Sequence, residues 1–177
     1  LTNSETVVKK SIRHPSFMAR IVVLDPDLLN SCPGSVIASA GMDALVQAIE
    51  SYTSIKATWF TEQLALRAVD MINFSLEPVY SGDFSKTYNL MVASFLAGVA
   101  LSGSRLGLVH GLAHPLGARF HQPHGLVCAV CMPPVLAFNR DSIGEKYGML
   151  ANVMESDPVE RLRHFINVFG IESPFRG

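Results

Sequence analysis

Concentrated positive charge is missing from this 177-residue chain: no run of Lys or Arg exceeds Lys9-Lys10, and the formal net charge is -1. Binding of nucleic acid or of an anionic membrane needs a basic patch, so neither partner is expected. Cysteine is scarce as well, and Cys32, Cys128 and Cys131 cannot all pair, which excludes a disulfide framework. The longest apolar stretch, Leu90 to Leu101, is interrupted by Ser94 and Gly98. It falls short of the roughly 20 residues that cross a bilayer and reads as a buried helix. No charged segment followed by an A-x-A site opens the sequence, so no export signal is recognisable and the cytoplasm is the expected compartment. A glycine-rich phosphate loop, an internal repeat and a low-complexity tract are also lacking.

What is present is apolar. Hydrophobic residues make up 49% against 16% charged, more than one soluble domain of this size needs to fill its core. Part of that surface is expected to meet another domain or subunit. Cys128-x-x-Cys131 has the spacing of a redox or zinc half-site, but it lies inside the apolar run Leu126 to Met132, where small thiols are ordinary core residues.

Helical spacing dominates the pattern. Arg20 to Leu24 is β-branched and apolar and stops at Asp25-Pro26, which predicts one short strand. After Pro33-Gly34, apolar residues recur at threes and fours through Ile37, Ala40, Ala44, Leu45, Ala48 and Ile49 to Ser51. A second helix is predicted over Thr61 to Leu76, with Pro78 as its stop and Ser81-Gly82-Asp83 as a turn. The segment from Lys86 to about Leu101 is apolar nearly all round and predicts a helix at the domain centre. Further helices are expected around Leu108 to Leu112, Leu126 to Phe138 with a break at Pro133-Pro134, Gly144 to Met154 and Val159 to Phe169. The fold class is therefore mainly α, with a short β-strand near the N-terminus.

Two groups of residues carry chemistry. Asp43 and Gln47 are four apart on an apolar helix and share one face, where a carboxylate is costly unless a cation or donors satisfy it. Four histidines, His110, His114, His121 and His124, fall within fifteen residues among small residues and prolines. Two of them with Asp43 make a two-histidine, one-carboxylate set, which suits Fe(II) or a similar divalent ion and leaves positions open for substrate. Spacing alone does not say which two. A rival arrangement puts His110 and His114 on one helix as a zinc pair, against which stands Pro115, since it disfavours helical geometry at His114.

The blocks Asp25-Pro26-Asp27-Leu28, Gly41-Met42-Asp43-Ala44-Leu45, Ala48-Ile49-Glu50, Gly107 to Ala118 (GLVHGLAHPLGA) and Pro123-His124-Gly125 resemble, in order and separation, those of the iron-containing (group III) alcohol dehydrogenases. The resemblance runs from about Lys9 to Asn139, and residues 140 to 177 look like a shortened version of that family's closing helices. It implies the helical bundle domain of the dehydroquinate synthase-like fold over residues 34–177, with 1–33 a remnant of, and linker from, a dinucleotide-binding α/β domain. It implies metal ligands at Asp43, His110 and His124, with His114 beside the nicotinamide and the substrate oxygen. The fourth ligand position falls on Gln47, where the family has His. An amide oxygen is a harder and weaker donor, which moves the expected preference from Zn toward Fe(II) or Mn(II). Lys9, or Lys10, falls where the family has a lysine reaching the cofactor.

The implied reaction is metal-assisted hydride transfer between a small alcohol or aldehyde and NAD(P), His114 relaying the proton. The expected partners are that small-molecule substrate, the missing dinucleotide-binding domain and further copies of the chain in a homo-oligomer. The alternative is a non-catalytic or metal-independent member of the fold, since Gln47 replaces a His ligand and no cofactor domain is present in these residues.

Overall fold

A computed structural model describes residues 2–3, 8–9 and 14–175. It is a bundle of seven helices: α1 (Gly34–Thr53), α2 (Trp59–Tyr80), α3 (Thr87–Ser104), α4 (Leu108–Arg119), α5 (His124–Ile143), α6 (Glu145–Met154) and α7 (Pro158–Val168). Among the described residues the only strand pairing joins β1 (Thr2–Asn3) to β2 (Val8–Lys9), antiparallel. The strand expected over Arg20 to Leu24 does not form. That segment is unpaired, and Ile21 and Val23 are 81% and 82% exposed, because a β-prone sequence becomes a strand only when a partner edge satisfies its backbone.

The centre of the bundle is α1, which packs against α2, α3 and α5. From Gly41 onward nearly every side is covered, and Met42, Leu45, Val46 and Ile49 are fully buried. Gly41 sets the approach to α2, since a Cβ there would run into the Leu76 side chain. The expectation that α3 is the central helix is corrected. Its small residues Ala93, Ala97 and Ala100 are buried, while Tyr88 is 62% and Phe95 40% exposed. Its outer flank lines a cavity of about 370 Å³ with Leu24, Leu29, Cys32, Val36 and Ile37. An all-apolar helix must be covered by something, but the pattern does not say that its own chain does the covering.

Prolines stop these helices less than local rules suggest. The chain runs through Pro78 to Tyr80, and α2 is ended instead by Gly82, whose φ of +94° is the left-handed conformation glycine adopts freely. Likewise α5 passes through Pro133 and Pro134 without a break. Met132 and Leu136 are each only 2% exposed on either side of the pair. Their burial against neighbouring helices outweighs the two backbone hydrogen bonds the prolines cannot donate. By length and hydropathy α5 could cross a membrane, and here it is packed against α1, α4 and α7.

The closing helices are tied back by a polar cluster. Arg161 Nε donates to Asn73 Oδ1 at 2.8 Å and its guanidinium reaches the Asn73 carbonyl at 3.0 Å, while Asn73 Nδ2 donates to the Met154 carbonyl at 3.2 Å. Asp157 caps α7, accepting from the backbone N–H groups of Val159 and Glu160.

Candidate metal centre

Three helices converge on one point. On α1, Asp43, Gln47 and Glu50 follow at i, i+4 and i+7 and so share a face. That face meets the start of α4 and the start of α5. Leu106 and Gly107 precede α4, where Glu50 takes the place of an N-cap side chain: its Oε1 accepts from the Val109 backbone N–H at 2.6 Å. Gly107 leaves the room for this, since a Cβ there would lie 2.8 Å from Glu50 Oε1.

Glu50 Oε2 also accepts from His110 Nδ1 at 2.7 Å. With Nδ1–H committed to the carboxylate, His110 Nε2 is turned toward Asp43 Oδ1, 3.4 Å away. Among the described residues neither of these two buried atoms has a hydrogen-bond partner. Such pairs are costly in a protein interior, and a cation between them would satisfy both. Carboxylate–histidine–ion geometry of this kind is how proteins orient a metal-bound imidazole. The donor set therefore fits a divalent ion.

His124, the first residue of α5, brings Nε2 to 3.7 Å from Asp43 Oδ1. Its placement depends on Gly125, where a Cβ would overlap the Ser39 backbone carbonyl, so α5 can press against α1 only with glycine there. Cys128, one turn further along α5, puts Sγ 3.6 Å from His124 Nε2. Asp43, His110, His124 and Cys128 each offer one atom within 4.8 Å of all the others.

Gln47 stands to one side of this set. Its Nε2 donates to Asp43 Oδ2 at 2.9 Å, the carboxylate oxygen other than the one facing His110 and His124. His114 sits on α4 with His110, because α4 continues through Pro115 to Arg119. Both imidazoles are thus on one helix, contrary to the expectation from Pro115. Yet His114 Nδ1 donates to the His110 carbonyl at 2.7 Å, and its ring stands edge-on to His124 with centroids 5.2 Å apart. This leaves His114 Nε2 as the acceptor nitrogen, beside the cluster rather than in it. His121 lies in the exposed α4–α5 turn at φ +53°. The backbone of β2 lies near α4, but the side chain of Lys9 and all of Lys10 fall outside the described residues.

Glu50 and Cys128 belong to the site, although the sequence reading takes Cys128 as a core thiol and gives Glu50 no ligating or positioning role. Glu50 lies seven after Asp43 and Cys128 four after His124, offsets that place each on its helix's site face once helix and phase are known. The core-thiol reading holds for burial, since Cys128 is fully buried, but not for its surroundings, which are polar.

Charge follows the geometry. Burial disfavours the charged form of His110, but the Asp43 carboxylate facing its Nε2 and the Glu50 carboxylate bonded to its Nδ1 outweigh it and raise the pKa to about 9. Burial would raise that of Asp43, yet the nearby His110 and His124 hold it below the usual carboxylate value. The Cys128 thiol is pushed up by burial and then by the Asp43 and Glu50 carboxylates. A raised histidine pKa stabilises the fold below its unfolded value of about 6.5 and loses that contribution as pH climbs through about 9. With divalent metal removed by chelator, the melting temperature is expected to fall from pH 6.5 to 9.5. A melting temperature that is level or rises over that interval, followed by circular dichroism, contradicts this.

In this mainly helical bundle a carboxylate and two imidazoles converge from three helices as a candidate metal centre. The chain belongs to the iron-containing alcohol dehydrogenase family: residues 37–176 match the model for that family's C-terminal region. The family match thus continues well past Asn139, where the sequence resemblance was expected to fade. The probable alcohol dehydrogenase EutG of Escherichia coli K12 is 38% identical over 150 residues, covering 84% of this chain and 38% of that protein. Lactaldehyde reductase of the same organism is 35% identical, covering 87% and 40%. The iron-containing alcohol dehydrogenase of Thermococcus thioreducens superposes with a TM-score of 0.86 at 29% identity, covering 92% of this chain and 44% of the other. The chain spans about two fifths of the length of such curated relatives.

Proposed function

We propose that this chain is the metal-binding part of an NAD(P)-dependent oxidoreductase that interconverts a small alcohol and its aldehyde. The observation that carries the reading is the buried pair of unsatisfied atoms, Asp43 Oδ1 and His110 Nε2, joined by His124. Relatives named for lactaldehyde, butanol and 1,3-propanediol support a short aliphatic substrate. These residues contain no glycine-rich phosphate loop, so the nicotinamide cofactor is held mainly by a dinucleotide-binding domain outside them.

Asp43, His110 and His124 would hold a divalent ion, Fe(II) in the family's name, which when bound supplies Lewis-acid polarisation of a substrate oxygen. Glu50 keeps the His110 ring in one tautomer and orientation. Gln47 does the same for the Asp43 carboxylate. His114, with Nδ1–H committed to the His110 carbonyl, keeps Nε2 available to take or return a proton. The nicotinamide supplies the hydride chemistry.

Metal content tests this reading. Anaerobically prepared protein is expected to carry or take up about one divalent ion per chain. His124→Ala should weaken binding by more than the roughly 10–100-fold typical of outer-shell changes. Protein that takes up no Fe(II), Zn(II) or Co(II) on dialysis would refute a metal-dependent function and leave the metal-independent alternative.

A further inference from the structure

We infer that Cys128 Sγ, rather than the Gln47 amide, is the fourth donor to the ion held by Asp43, His110 and His124. The inference rests on the proposed metal reading and adds a thiolate to it. A tetrahedral ion with bonds of about 2.0–2.3 Å places its donor atoms roughly 3.3–3.8 Å apart. Along the chain of donors the separations are 3.4 Å from His110 Nε2 to Asp43 Oδ1, 3.7 Å from Asp43 Oδ1 to His124 Nε2, and 3.6 Å from His124 Nε2 to Cys128 Sγ. All four donors lie within 4.8 Å of one another.

Gln47 turns its amide nitrogen, which is no metal donor, toward the Asp43 carboxylate. Its amide is bonded to Asp43 Oδ2, while Oδ1 is the oxygen that faces both imidazoles and lacks a hydrogen-bond partner. Gln47 therefore positions the Asp43 carboxylate, and the vertex that a histidine fills elsewhere in the family is supplied from α5. The position of Cys128 on α5 is set by helix geometry, since one turn brings residue i+4 over residue i, here His124. Cys131, at i+7 from His124, lies a further turn along α5 on the same side of the helix, and its thiol is not part of the cluster.

Chemistry changes with the donor. Coordination takes the thiol proton to solvent and leaves a thiolate on the ion. A soft thiolate favours Zn(II) over Mn(II), the reverse of the preference that a Gln47 oxygen donor implies.

Co(II) is the probe, because a thiolate bound to it gives a near-ultraviolet charge-transfer band that nitrogen and oxygen donors do not. The full chain, reduced and kept anaerobic, is titrated with Co(II) and followed by absorption and equilibrium dialysis. The band is expected in wild type, in Cys131→Ser and in Gln47→Ala, although the last binds more weakly because Asp43 loses its orienting bond. In Cys128→Ser the band should vanish while far-ultraviolet circular dichroism is retained, with affinity for Co(II) down at least about tenfold. Co(II) bound to wild type without the band overturns the thiolate ligand and leaves the metal reading standing. A band that survives Cys128→Ser overturns it equally. No Co(II) bound to wild type at all defeats the metal reading itself. Should Cys128→Ser fail to fold, the wild-type and Cys131→Ser spectra decide, since a band that persists without Cys131 leaves Cys128 as the only thiol in the cluster.

Discussion

Glu50→Ala is expected to lower folding stability by about 3–5 kcal/mol, the cost of breaking a buried charge-assisted pair by deleting one member. Glu50 is 5% exposed and accepts at once from the Val109 backbone N–H and from His110 Nδ1. Removing it strands two buried donors and leaves the N-terminus of α4 uncapped. A second effect is separable: without the carboxylate, the His110 ring is free to rotate, and affinity for Zn(II) should fall roughly 10–100-fold. Glu50→Gln keeps one acceptor for Val109 but weakens the hold on the imidazole. It should therefore recover much of the stability and little of the affinity. Urea denaturation and calorimetric titration with Zn(II) measure the two quantities. A variant Glu50→Ala within about 1 kcal/mol of wild type would show that Glu50 does not organise this site.

Gly125→Ala adds a single methyl group and is expected to cost about 3 kcal/mol, the upper part of the usual range for overpacking. The obstacle is main chain: the new Cβ overlaps the Ser39 carbonyl and comes within 2.8 Å of Ser39 Oγ. Because backbone cannot rotate away as a side chain does, α5 must lift from α1. Its first residue, His124, then moves away from Asp43, and metal binding should fall with stability. Adding Ser39→Gly removes the hydroxyl but not the carbonyl, so it should rescue little. Full rescue by Ser39→Gly, read from melting temperatures of the single and double variants, would locate the clash in the side chain instead. Tolerance of Gly125→Ala with unchanged Zn(II) affinity would mean that the α1–α5 contact is not tight.

The helices were legible because periodicity reports which residues share a face, and that information is local. Where each helix stopped was less so. Pro78, Pro115, Pro133 and Pro134 all lie inside helices, since burial of Met132, Leu136 and their neighbours exceeds the cost of a few missing hydrogen bonds. The central position of α1 was hidden for another reason. Ile37 to Tyr52 includes Asp43, Gln47, Glu50 and Ser51, which make it look less buried than α3, whereas α3 has apolar residues on a flank that the described residues leave open. Asp43, His110 and His124 were readable from resemblance to the family motifs, and the structure brings them together. Glu50 and Cys128 needed three-dimensional placement, as an acidic residue and a cysteine in apolar helices acquire meaning only when the opposing helix is known.

The ligand-bearing helices also lie far apart along the chain: Asp43 and His124 bracket nearly half of it. An ion gripped at both ends would act as a removable cross-link, closing in the folded state a loop that the unfolded chain closes at an entropic cost. At a free concentration of 100 times the dissociation constant, such an ion stabilises the native state by about 2.7 kcal/mol. Availability of metal would then set how long the chain survives proteolysis, so that the site governs the amount of protein as well as its chemistry.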